Sequence, residues 1–277
     1  MVNVDHEAYI EREEKRFALD GQADLHLYTF DGSIEVRSWD RPEAVVEIEK
    51  RGHDKEAVSR IQVLAERTGD RIQVETRHPE SGGVFVGIGR TSPSAKLIVN
   101  VPRRINLVIR TGDGSIVVER VTGRVELRTA DGSIRVLETG GELLAESSDG
   151  SIQCDEVSGR IEARTNDGSV RITGMPRVLR ARSGDGAIVL RIRRGATMDE
   201  DWMVATLDGS ISAELPEGFN GEIEADPGSD GRARSDLALI NSSGGTRDER
   251  VLRGKLGQGG KKFTLRTGDG NIRLTHY

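Results

Sequence analysis

A chain of 277 residues with a formal net charge of −6 has no basic excess for displacing counterions from phosphates, so nucleic acid is not an expected partner. Hydrophobic residues make up 35% and aromatics 4%, too lean for a thick globular core but adequate for a thin one. The single cysteine, Cys154, excludes an intrachain disulfide and a thiolate metal cluster, and no stretch approaches the ~20 apolar residues that span a bilayer.

The opening, MVNVDHEAYIEREEKRF, lacks the apolar segment of a signal peptide. The chain is expected either to stay in the cytoplasm or to be a cell-envelope or secreted protein whose leader was removed. Residues 17–50 read as an opening coil. In it Leu25, Leu27 and Thr29 alternate into an Asp31–Gly32 turn, Ile34 and Val36 follow, and a second turn comes at Trp39. A short helical turn is expected over 54–60, and a hairpin over 61–77 with Thr68, Gly69 and Asp70 at its tip. A glycine- and serine-rich loop covers 78–94, and residues 1–94 are taken together as an irregular N-terminal β cap.

From residue 95 the chain repeats itself. Asp-Gly pairs at Asp113–Gly114, Asp131–Gly132, Asp149–Gly150, Asp167–Gly168 and Asp185–Gly186 follow at a constant step of 18 residues. Outlying copies stand at Asp31–Gly32, Asp208–Gly209 and Asp269–Gly270. The third and fifth residues after each Asp are apolar, as in Ile134 and Val136 or Ile152 and Cys154. A second glycine (Gly123, Gly141, Gly159) marks another turn, and alternation resumes through Val125, Leu127 and Thr129. Period-two alternation places one face inward and one outward, so each repeat is two short strands and two turns. The inward ladder is closed at one corner by Thr111, Thr129, Ser147, Thr165 and Ser183. The step from Asp185 to Asp208 is five residues longer, after which Trp202, Val204 and Thr206 resume the inward pattern. Residues 226–262 read as a long polar excursion before closing strands over 263–275, and 95–277 is taken as the repeat domain.

Two all-β architectures fit. Asp-Gly between alternating strands is a hairpin signal, which favours an antiparallel meander. Stacking equivalent positions of successive repeats gives instead a parallel β-solenoid. Charge separates them, because like charges directly opposite one another destabilise a sheet. The meander sets Arg128 against Arg135 and Arg164 against Arg171. Stacking gives columns of alternating sign, Arg124/Glu142/Arg160 and Arg128/Glu146/Arg164, so the expected fold is a β-solenoid of 18-residue repeats with capped ends.

The opening FALDGQADLHLYTFDGSIEVRSWDRPEAVVEIEK, the serial T-x-D-G-S-I units and the closing GKLGQGGKKFTLRTGDGNIRL resemble a family of bacterial β-strand-repeat proteins labelled putative adhesins. The resemblance runs from about Phe17 to the end. It implies an exported or envelope-anchored binding protein.

The residues themselves offer little chemistry. The aspartate column invites a calcium reading, but each turn brings one carboxylate and no second acidic ligand at D-x-D spacing. The expected role of the eight Asp-Gly pairs is structural, with Asp accepting a backbone N–H in its own turn and Gly taking a positive φ. His6, His26, His53, His78 and His276 form no metal-binding pair, so no metal and no cofactor are expected. GIGRTS (87–92) and GKLGQGGKKF (254–263) fail the spacing of nucleotide-binding loops and read as turns. A carbohydrate-active enzyme is discounted because Trp39, Trp202, Tyr9, Tyr28 and Tyr277 are scattered along the chain and no carboxylate pair accompanies them. The chain is expected to be a non-catalytic scaffold or adhesin-like module that shows rigid β faces to a protein or polysaccharide. The alternative is a structural protein that self-associates end to end.

Overall fold

The computed structural model describes residues 8–19, 21–78, 92–243 and 250–276. Strands begin with β1 (Tyr9–Ala18), β2 (Asp24–Thr29), β3 (Ile34–Trp39) and β4 (Glu43–Gly52). The one helix among the described residues, α1 (Lys55–Ser59), is capped by the Asp54 carboxylate, which accepts from the Ala57 N–H at 2.7 Å. The hairpin β5 (Gln62–Thr68) and β6 (Arg71–Arg77) turns at Gly69, whose φ is 62°. Most of the expected loop after it, with the GIGRTS turn, lies outside the described residues, as do His6 and Tyr277.

The array follows as β7 (Ser94–Pro102), β8 (Asn106–Thr111), β9 (Ile116–Glu119), β10 (Thr122–Thr129), β11 (Ile134–Leu137) and β12 (Gly140–Ser147). It continues through β13 (Ile152–Arg164), β14 (Val170–Arg182), β15 (Ile188–Ile192), β16 (Trp202–Thr206) and β17 (Ile211–Leu215). The C-terminal part comprises β18 (Gly221–Asp226), β19 (Ala233–Ser235), β20 (Ile240–Ser243), β21 (Leu252–Leu256), β22 (Lys262–Thr267) and β23 (Ile272–His276).

Pairing through the array is parallel, so the antiparallel meander is not the fold. Val125 lies between Leu107 and Leu143, and Ile134 between Ile116 and Ile152. The strands form one large sheet that winds into a solenoid-like stack of two facing ladders. Inward positions fill the space between them as columns of Ile, Val, Leu and Ala at or near zero exposure. Each fully buried aliphatic side chain contributes about 1.5–3 kcal/mol, which lets so thin a core hold. Cys154 sits in such a column between Val136 and Ile172, fully buried, and burial, with the Asp155 charge second, pushes its thiol up to about 12. The longer step before Asp208 coincides with a wider layer filled by rings. Trp202 lies 5.5 Å from both Phe219 and Phe263, and its indole N–H donates to the Arg177 carbonyl at 3.2 Å.

Spatial order departs from chain order at both ends. β2 is flanked by β6 and β8, and β3 by β7 and β9, so the first coil of the chain is overlaid by a later one. At the other end β22 enters between β16 and β18, and β23 between β17 and β19. Residues on either side of position 94 thus share ladders and one core. The stretch expected to be a polar excursion supplies β19, β20 and β21. Antiparallel strands finish three of the four ladder ends, β1 on β4 and β5 on β6 at one end and β21 on β18 and β20 on β21 at the other, while the fourth ends on β19, which pairs in parallel with β23. Charged and mostly exposed, β1 blunts its edge against further pairing: Lys15 pairs with Glu13, and Arg12 with Glu49.

The outer columns carry part of the expected alternation. Glu146 lies between Arg128 at 2.7 Å and Arg164 at 3.6 Å, the closer contact being an ion pair whose Arg128 Nε–H is not aimed as a hydrogen bond. Arg124 approaches Glu142 at 3.8 Å, whereas Arg160 leaves its column for Glu200 at 2.5 Å. Glu146→Lys should therefore cost about 1 kcal/mol, since each partly exposed pair contributes only ~0.2–1 kcal/mol. A double-mutant cycle with Arg128→Glu should recover part of the loss at low salt. Zero coupling between these positions would contradict the register.

Candidate binding cleft

The Asp-Gly corners are built differently from the expectation. Gly32, at φ 120°, is the one Asp-Gly glycine in the left-handed half of the map; Gly114, Gly132, Gly150, Gly168, Gly186, Gly209 and Gly270 are not. Crowding by the neighbouring coil is what demands glycine: a Cβ on Gly132 would stand 2.0 Å from the Gly114 carbonyl oxygen. At the first corner Asp31 does accept from the Gly32 N–H, but along the array a hydroxyl takes that amide. The Gly132 N–H donates to Thr129 Oγ1 at 3.2 Å, and that hydroxyl lies 2.9 Å from the Gly114 carbonyl oxygen. Ser147 bridges Gly150 and Gly132 in the same way, and Thr165, Ser183 and Thr206 continue the series. Asp113, Asp131, Asp149, Asp167, Asp185, Asp208 and Asp269 are left exposed along one ridge. Asp31 is half-buried; burial, with the Asp113 charge second, raises its pKa. Among the described residues no three His, Cys, Asp or Glu side chains meet as a metal site.

The opposite corner uses left-handed backbone. Arg120, Glu138 and Glu156 have φ of 59°, 50° and 53°, each just ahead of Gly123, Gly141 or Gly159. The sequence marked those glycines, but the charged residues before them gave no hint of their conformation.

A cleft of about 480 Å³ opens where β2 lies against β6. Alternation sends His26 and Tyr28 to the outer face of β2, and Phe30 follows at the strand end. Pairing sets Tyr28 beside Glu75 on one side and Arg110 on the other. Tyr28 Oη is 3.0 Å from His26 Nδ1, the Arg110 guanidinium lies 5.9 Å from the Tyr28 ring centre, and the Phe30 and His78 rings are 5.7 Å apart. Arg77 donates from Nε and Nη2 to the two oxygens of Glu75 at 2.5 and 2.8 Å, and Gln73 adds a third bond at 3.2 Å. Arg77 foremost holds the Glu75 carboxyl below the usual range despite partial burial. Burial, reinforced by the Arg71 charge, lowers the His26 pKa from its ordinary value. Thr29 and Thr76 line the cleft too, joined hydroxyl to hydroxyl at 2.9 Å. Tyr28 counted as scattered in the sequence because β6 is remote in chain order. Phe30 was the available signal: Gly112, Ala130, Ser148, Asn166, Gly184, Leu207 and Gly268 occupy its place in the other copies.

A family model described as Toastrack DUF4097 matches residues 23–275. The chain belongs to the Toastrack DUF4097 family. No curated protein matches this Toastrack chain. Similar solved structures include a "putative adhesin" from Bacteroides fragilis NCTC 9343, 12% identical, covering 95% of this chain and 97% of its own, with a TM-score of 0.45. A "putative lipid binding protein" from Parabacteroides distasonis ATCC 8503 is 13% identical over 94% of this chain and 96% of its own, with a TM-score of 0.39. A "putative cell adhesion protein" from Clostridium sporogenes ATCC 15579 is 12% identical over 97% and 100%, with a TM-score of 0.33.

At the far end of this Toastrack chain, Glu224 gathers Lys262 at 2.8 Å, Arg266 at 3.3 Å and Arg253 at 3.4 Å. The Lys262 hydrogen bond first, then those of Arg266 and Arg253, lower its pKa to about 2 against the opposing effect of burial. Because the folded pKa lies below the unfolded one, its stabilisation is present above the ordinary carboxylate range and is lost as pH falls through about 2. Denaturant titrations of the wild type should show that acid limb, on the order of 3 kcal/mol, and Glu224→Gln should flatten it. At the corner, Gly132→Ala should cost about 1–3 kcal/mol through overpacking, and Thr129→Val about 1–3 kcal/mol by orphaning the Gly132 N–H. Ser133→Ala should stay within about 0.5 kcal/mol. Equal urea midpoints for all three would contradict the crowded corner.

Proposed function

We propose that the chain is a non-catalytic scaffold and binding module, a capped solenoid of 18-residue coils that presents rigid β faces to a macromolecular partner. The observation that carries this reading is the cleft. Its polar groups stand on neighbouring strands of one ladder, so backbone hydrogen bonds fix their spacing before any ligand arrives. Its one lining carboxylate among the described residues, Glu75, is held by Arg77. Glycoside hydrolysis calls for two carboxyl groups, one of them with a raised pKa to act as general acid. A lone carboxylate of lowered pKa suits recognition instead. The end-to-end polymer is disfavoured by β1, whose exposed charges would meet any chain added at that edge.

Immobilised protein should retain ligands from a panel of polysaccharides and purified envelope proteins without releasing reducing ends or peptides. Turnover of any bound polymer would overturn the non-catalytic reading. Sedimentation should stay independent of concentration, and filaments at high concentration would favour the polymer.

A further inference from the structure

We infer that the cleft between β2 and β6 binds a neutral saccharide unit of a glycan; the inference rests on the binding-module reading and names its ligand class. A pyranose ring presents an apolar C–H face and a rim of hydroxyls that both donate and accept. It is held by aromatic surface on one side and by planar, fixed hydrogen-bonding groups on the other.

The cleft supplies both. Tyr28 and Phe30 are half-buried and both line the cleft, Tyr28 near the end of β2 and Phe30 in the bend that follows it. His26 steadies the Tyr28 hydroxyl, and His78 lies against Phe30. On the neighbouring strand Arg77 donates from Nε and Nη2 to Glu75, Nη1 has no hydrogen-bond partner among the described residues, and the Glu75 oxygens retain lone pairs for hydroxyl donors. Gln62, opposite Arg77 on β5, is exposed and brings an amide able to donate and accept at once.

Charge chooses among glycans. Among the described residues the cleft pairs its one lining carboxylate with its one lining guanidinium. A uronate would gain Arg77 but meet Glu75 in the same step, so a neutral sugar has the better fit. An acyl chain would have to cover Glu75, Arg77 and Gln62 without satisfying them, which costs each its hydration.

The test is calorimetric titration of the full chain with chitohexaose, cellohexaose, xylohexaose and mannohexaose, beside polygalacturonate and phosphatidylglycerol vesicles. At least one neutral hexasaccharide should bind. Tyr28→Ala and Arg77→Ala should each weaken it about tenfold or more, and Tyr28→Phe should keep affinity within about threefold. All three variants should melt within a few degrees of wild type, since the side chains stand outside the core columns. Binding of none of the neutral sugars, binding indifferent to both alanine variants, or binding of the uronate or vesicles alone would each overturn the inference. A macromolecular partner still captured undiminished by Tyr28→Ala would overturn the saccharide assignment while leaving the binding-module reading intact.

Discussion

Close stacking of backbone on backbone at the Asp-Gly corner is the constraint on which the rest depends. Strands in a parallel ladder lie about 4.8 Å apart, and at the corner the carbonyl of one coil occupies the space a side chain of the next would need. Only glycine fits there. The Thr or Ser hydroxyl beneath it then links the amide of its own turn to the carbonyl of the preceding one. Buried backbone groups that would otherwise lack partners are satisfied coil after coil, and the register of both ladders follows from that line of hydrogen bonds. An aspartate beside it need hold nothing, which is why the carboxylates line an exposed ridge.

Register in turn fixes the surface. Once coils superpose, every outward side chain has two neighbours one strand spacing away, and sign patterns along a column become interaction energies. Glu146 between two arginines benefits, whereas Arg182 beside Arg164 does not and lies against Met203 Sδ at 3.7 Å. The cleft uses the same geometry. Its rings and its Arg77–Glu75 pair come from strands whose relative position cannot drift without breaking the ladder. Groups held this way would meet a ligand with a reduced ordering cost, which is how a thin, rigid core could serve the proposed binding role.

The ends are the least repetitive parts of the chain. Insertion of β2 between β6 and β8, and of β22 and β23 beneath β18 and β19, sets early and late strands into the middle of ladders, while β1 stays at an edge. Long loops must close before those contacts form, so the ends join the stack through distant sequence while the centre joins through adjacent repeats. The outermost strands β1, β5 and β20 pair antiparallel, whereas β19 ends its ladder in parallel on β23. At the three antiparallel ends an open parallel edge would otherwise be available to further strands.

By itself the sequence determined the all-β class, the inward columns from Leu25 to Leu274, the Thr/Ser corner and the short helix after Asp54. Each of these is written in local alternation or in the step between Asp-Gly pairs. Charge pattern also favoured parallel stacking, because like charges forced together in the meander leave a visible signature. The tertiary structure alone decided why the corner glycines are glycine, since a crowding carbonyl from another coil has no local trace. It alone decided the left-handed backbone at Glu138 and the coil order at both ends. The cleft belongs there too. Tyr28 and Glu75 sit far apart in the chain, and nothing in their own neighbourhoods records that β6 pairs with β2. Periodicity reports which face a side chain takes; only long-range pairing decides which side chains share it.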